Sequence, residues 1–155
     1  MQLLKKQNGF TLIELLLVLA LLSLLLKIAF PRLELFSRWR LEGAARLLAS
    51  DLRYVQQEAV VSGQKCQIVF YTFDNSYRLE FPEEKKRIYL PQGVFFEGTT
   101  SFPGDPPYVH FNNLGHPSSG GTIILRNDQQ QQLYVIVAPV NGRVRISKEP
   151  PGAGD

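Results

Sequence analysis

The sequence predicts an α+β protein, a long N-terminal helix followed by an antiparallel β domain, and three observations carry that prediction. An almost unbroken apolar run fills residues 10–30, and an apolar stripe of helical period continues to about residue 62. Beyond Gly63 the chain breaks into short runs rich in Val, Ile, Tyr and Phe, punctuated by turn residues. With 155 residues in all, what remains after the apolar helix suffices for one small domain and not two.

Residues 1–9 read as a leader. They carry Lys5 and Lys6 and end in Gly9, just before the apolar run. An ordinary secretory signal is cut after its apolar core, at small residues. Here Leu26 is followed by Lys27-Ile28-Ala29-Phe30-Pro31, which offers no such site. Cleavage behind Gly9 would remove only the leader and leave the apolar segment at the new N-terminus. The segment is then a working part of the mature protein.

Residues 10–30 are long enough to cross a membrane as a helix, roughly 30 Å at 1.5 Å per residue. Lys27 can snorkel to the far interface, and Ser23 can bond back to its own helix. Glu14 is different. A carboxylate in the hydrocarbon costs about 2.5–3.5 kcal/mol unless it finds a partner. The partner that cleavage would create is the amine at Phe10, of the same chain or of a neighbouring copy. A carboxylate in search of an N-terminal amine implies lateral assembly.

Residues 31–63 continue the helix on a new face. Leu41, Ala45, Leu48, Leu52, Val55 and Ala59 recur at intervals of three and four, with Arg38, Arg40, Glu42, Arg46, Asp51, Arg53, Gln56 and Glu58 between them. Such a stripe seeks a core; it is short for a coiled coil. Pro31 lacks an N–H and crowds the preceding turn, so a bend is expected there. Ser62-Gly63 supplies the stop, glycine taking the left-handed cap.

Residues 64–148 form the β domain. Strands are expected at 67–71, 77–81, 94–97, 108–111, 122–125, 133–137 and 143–146. Asp74-Asn75-Ser76, Pro103-Gly104-Asp105-Pro106-Pro107, Pro117-Ser118-Ser119-Gly120-Gly121 and Asn141-Gly142 mark turns, the last suited to a tight hairpin. The Gln129 to Gln132 run reads as an exposed hairpin loop, and residues 149–155, rich in Pro and Gly, as a loose tail.

Charge separates these parts. The net charge is +3; the leader contributes its two lysines, residues 10–63 hold six basic and five acidic side chains, and residues 64–155 hold nine of each. Lys5 and Lys6 fit the positive-inside rule, which puts the N-terminus in the cytoplasm and the β domain on the far side of the membrane. One cysteine, Cys66, excludes an intramolecular disulfide and suits a small buried residue at a strand start. Enzyme chemistry finds no support: His110 and His116 are the two histidines, and no metal-ligand spacing, nucleophile motif or phosphate loop occurs. No catalytic residue, metal or cofactor is expected.

Gly9-Phe10-Thr11-Leu12-Ile13-Glu14-Leu15 resembles the prepilin processing and methylation motif of type IV pilins and type II secretion pseudopilins. Phe111-Asn112-Asn113-Leu114-Gly115, Gly121-Thr122-Ile123 and Gly142-Arg143-Val144-Arg145 are similar to the GspH/FimT class of minor pseudopilins. The resemblance implies a pilin-like fold, a stem helix packed on two antiparallel sheets. It implies cleavage by prepilin peptidase after Gly9, methylation of Phe10, assembly through Glu14, and a helix-bending role for Pro31. It also implies a structural subunit of the cytoplasmic membrane, crossing once. Its partners would be other pilins or pseudopilins, the peptidase, the inner-membrane assembly platform and lipid, in protein secretion or pilus assembly.

FimT-like members bind DNA through a motif like Gly142 to Arg145, which makes DNA uptake an alternative. Arg143 and Arg145 would share one strand face, with Lys148 close in sequence. The neutral domain lacks the broad basic footprint of nucleic-acid binders, so DNA is not the favoured partner. The plain alternative is a solvated strand face whose arginines pair with Glu149 or Asp128. A third reading is a tethered domain that never polymerises.

Overall fold

The computed structural model describes residues 10–152, with the side chains of residues 28–35 outside that description. One helix, α1 (Leu12–Ser62), precedes eight strands. The chain forms two units, divided in sequence between Leu35 and Phe36.

In the N-terminal unit, Thr11 caps α1. Its Oγ1 accepts the Glu14 amide N–H at 3.3 Å, and its carbonyl accepts that of Leu15 at 3.2 Å. A threonine with a glutamate three residues on is the capping-box pattern. All the large apolar side chains from Leu12 to Leu26 are exposed. Among the described residues no helix is long and apolar enough to cross a membrane. The side chains described in this stretch stop at Lys27, so Ile28, Ala29 and Phe30 of the expected span lie outside them. Gly9 also lies outside the described residues, as do the Pro31 side chain and the bend expected of it.

In the domain, the stripe read from the sequence is the spine of the core. Leu41, Ala45, Leu48, Leu52, Val55 and Ala59 are at most 2% exposed, and Ala44 and Ala49 are buried beside them. Two antiparallel sheets of four strands share this core. The first comprises β1 (Cys66–Tyr71), β2 (Ser76–Glu80), β3 (Lys85–Tyr89) and β5 (Tyr108–Phe111), in the order β3-β2-β1-β5. The second comprises β4 (Val94–Thr100), β6 (Gly121–Asn127), β7 (Gln132–Val137) and β8 (Val144–Ser147), in the order β4-β6-β7-β8. Phe96 of the second sheet meets Phe70 and Tyr77 of the first edge to face, which joins the two across the core.

Several expectations change. β3 was not expected, because its side chains are mostly exposed and leave no apolar pattern. It is an edge strand, and charge there deters pairing with other chains. Arg87 is held by Asp74 and packs over the rings of Tyr71 and Tyr89. Asn141-Gly142 does not form a two-residue turn. Four residues, Pro139 to Gly142, lie between Ala138 and Arg143, whose backbones pair at 3.0 Å. A tight primed turn needs two left-handed residues, and here Gly142 alone has positive φ. A loop does join β6 to β7, but it runs from Asp128 to Gln131, and Gln132 is already the first residue of β7. Buried Asn127 organises it, its Oδ1 accepting the amides of Gln129 and Gln131. In the tail, Pro151 lines a cleft with residues of β7 and β8.

Candidate functional site

The predicted site residues fall into separate places. Phe10 and Glu14 stand at the start of α1, Phe10 just outside the helix and Glu14 in its first turn. A carboxylate there also faces the positive end of the helix dipole. Sequence reading assigned Glu14 to assembly and missed this capping position, although Thr11 three residues earlier signals it.

The outward face of α1 within the domain is also apolar. Phe36, Leu47, Tyr54 and Val61 are each at least half exposed. At about 100° per residue they fall within roughly 40° of one another around the helix, nearly opposite the buried stripe. Gly43 lies on the same face, and nothing stands within 4 Å of where its Cβ would be. The helix therefore has two apolar faces, one buried in the domain and one largely exposed, where Tyr54 meets Phe81 edge to face. The sequence reading stopped at the first because its period already accounted for a core.

The short C-terminal motifs converge on α1. Gln56 Nε2 donates to the Gly115 carbonyl at 2.8 Å and to the Asn141 carbonyl at 3.2 Å. Arg53 donates to the Val144 carbonyl at 2.9 Å, at the start of edge strand β8. The imidazole of His116 bonds the Val140 carbonyl at 2.9 Å through Nδ1. Gly115 and Gly142 are both left-handed and buried, and a Cβ on Gly142 would lie 2.6 Å from Gln56 Nε2. Two loops from different sheets are thus latched to one glutamine. Nothing in the sequence separates Gln56 from other polar positions of an amphipathic helix.

Arg143 and Arg145 are exposed and line one cleft of about 400 Å³, floored by Ile136, Val137, Ala138 and Pro139 and flanked by Pro151. Lys148 does not join them. It lines clefts beside α1 with Arg38, Leu41, Glu42 and Arg46. Asp128, a suggested partner for the arginines, lies past the opposite end of the sheet: β6 pairs Gly121 with Val137 and Arg126 with Gln132, while Val137 pairs with Val144.

Asp51 and Tyr77 form a tie between helix and sheet, the Tyr77 hydroxyl donating to Asp51 Oδ2. Burial, and then the bonded carboxylate, push the Tyr77 hydroxyl far above its ordinary value. Burial also raises Asp51, against the Tyr77 hydrogen bond and the Lys86 charge. Cys66 is buried at the start of β1, and burial raises its thiol. Among the described residues no cluster of His, Cys, Asp or Glu could hold a metal.

Known proteins place this geometry. The family model described as the prokaryotic N-terminal methylation motif matches residues 4–29, and that described as type II transport protein GspH matches residues 44–142. The chain is 29% identical over 147 residues to competence protein ComGD of Bacillus subtilis, covering 94% of this chain and 97% of that one. It is similar in fold to the minor pseudopilin EpsH of the Vibrio cholerae type 2 secretion system (TM-score 0.57, 15% identity, 70% of this chain and 96% of that one). The type IV minor pilin FimU of Pseudomonas aeruginosa is similar too (TM-score 0.57, 14% identity, 71% and 90%).

Proposed function

Since the chain belongs to the family of the type II transport protein GspH and is a minor pilin-like subunit, we propose that it enters a type IV filament through α1 after cleavage behind Gly9. In this reading the peptidase exposes the amine of Phe10, which is then methylated, and Glu14 pairs with the amine of a neighbouring subunit. Residues 10–30 cross the cytoplasmic membrane once before assembly, Ile28, Ala29 and Phe30 completing the span. The β domain stands outside. Its role is structural rather than enzymatic, in a machine for protein secretion or pilus assembly.

The observation that carries this reading is the outward apolar face of α1. Phe36, Leu47, Tyr54 and Val61 leave an exposed stripe that a monomer in water would not benefit from keeping. The single cysteine is buried, so a Leu47→Cys chain carries one accessible thiol. A photoreactive cross-linker attached to that thiol should link the chain to filament partners in cells, whereas the same cross-linker at a Lys86→Cys control on β3 should not. Equal linking from both positions, or none from Leu47→Cys, would count against the stripe as the packing face. Mass spectrometry of the mature chain tests processing, since a retained Met1 in cells with active peptidase contradicts it.

A second reading, DNA uptake, is supported by the competence protein among the relatives and by the Arg143 and Arg145 cleft. It predicts salt-sensitive gel shifts that weaken in Arg143→Ala and Arg145→Ala. No binding by the unmutated protein disposes of it.

A further inference from the structure

β8 is the last strand of its sheet, and α1 reaches its free side. Hydrogen bonds to β7 fix which backbone groups face that side. The Ala138 N–H donates to the Arg143 carbonyl at 3.0 Å, and β8 pairs antiparallel with β7, Val137 opposite Val144. Bonding alternates residue by residue in such a ladder, so Arg145 and Ser147 also face β7 while Val144 and Ile146 face away. Arg53 bears this out, because it reaches the Val144 carbonyl from α1 at 2.9 Å. The Val144 N–H and both backbone groups of Ile146 have no hydrogen-bond partner among the described residues. Two other edges are partly closed: the loop after β5 donates the Ser118 N–H to the His110 carbonyl, and on β4 the Phe96 N–H donates to Asn75 Oδ1.

A strand added at this edge would send alternate side chains to opposite faces of the sheet, and each face offers a cleft. On the side of α1, Ile146 is 39% exposed and lines a cleft of about 260 Å³ with Leu133 and Lys148. On the other, Arg143 lines the cleft floored by Ile136 to Pro139. Among the described residues no carboxylate forms an ion pair with Arg143 or Lys148, and Glu42, which borders the first cleft, is held by Arg38 and Arg46. Two cations about 16 Å apart along the chain thus bracket the open backbone groups. A second copy of β8 would set like charges against each other. Duplex DNA meets the cations but does not complete a ladder, which needs another backbone.

We propose that β8 takes up an extended acidic segment of a partner protein as a further strand of its sheet, with carboxylates of that segment meeting Arg143 and Lys148. The edge lies wholly within the domain, so this binding does not depend on how the chain is anchored or assembled. The probe is a short dye-labelled peptide of alternating Glu and Val, with a Lys–Val peptide as control. Each is titrated onto the full-length chain in neutral detergent and read by fluorescence anisotropy. The acidic peptide should bind about ten-fold more tightly than the control, and Arg143→Glu combined with Lys148→Glu should remove that preference. Ile146→Pro deletes an outward N–H, which an edge strand tolerates, so thermal melting should hold while affinity for the acidic peptide falls about ten-fold. In the unmutated chain the same peptide should slow hydrogen exchange at the Val144 and Ile146 amides. No binding of the acidic peptide, or exchange at those two amides that it leaves unchanged, overturns the proposal. Affinity untouched by Ile146→Pro shows capture by charge alone and overturns it as well.

Discussion

Gln56 is the residue on which the C-terminal motifs depend. Its two donated hydrogen bonds hold loops from both sheets, and Gln56→Ala should cost about 1–2 kcal/mol in urea unfolding. Gly142→Ala should cost a similar amount, because its φ of 65° disfavours any side chain and the new methyl meets Gln56 Nε2. The double variant should lose less than the sum, since removing the glutamine opens space for the methyl; strict additivity would show that the two do not interact. Tyr77 offers a test by pH. Its folded-state pKa lies above the unfolded value, so its contribution is complete below that value and is lost as pH rises beyond about 10. Tyr77→Phe should flatten this alkaline decline in thermal melts while costing about 1 kcal/mol at neutral pH, as Asp51 loses its donor. The sequence showed Gly142 as turn chemistry but not its contact, because proximity to Gln56 is set by two sheets closing on one helix.

Adjacent leucines on α1 separate the core from the exposed face proposed for assembly. Leu48 is fully buried and Leu47 half exposed. Leu48→Ala should destabilise the domain by about 2–5 kcal/mol. Leu47→Asp should leave stability within about 0.5 kcal/mol yet reduce incorporation into filaments; normal incorporation would remove the stripe from the interface. The helix and most strands were legible because burial imposes periods of about 3.6 and 2 on the sequence. Thus β5 falls at its expected residues, 108–111, and β1 begins one residue early, at Cys66. β3 was not legible for the converse reason. Most of its side chains are exposed, so no apolar pattern marks it. The turn before β8 was misread because Pro139 and the conformation of Asn141, rather than the Asn-Gly pair alone, decide its length.

At the scale of the whole molecule, the chain is a helix followed by a domain of two antiparallel sheets, and the family it belongs to is the one its N-terminal motif and its glycines resemble. That identity was readable because the leader motif is contiguous and sits at the required depth in an apolar run. The division of labour among Arg143, Arg145 and Lys148 was not, because strand register decides which residues share a cleft. The proposed role as a filament subunit turns on Glu14, a carboxylate in an apolar segment whose proposed partner is the Phe10 amine of a neighbouring copy. The most direct measurement compares Glu14→Ala with the unmodified chain for membrane insertion, by flotation, and for incorporation, by recovery in sheared filaments. Insertion should be unchanged and incorporation should fall by about ten-fold or more. Incorporation at the unmodified level would contradict the account.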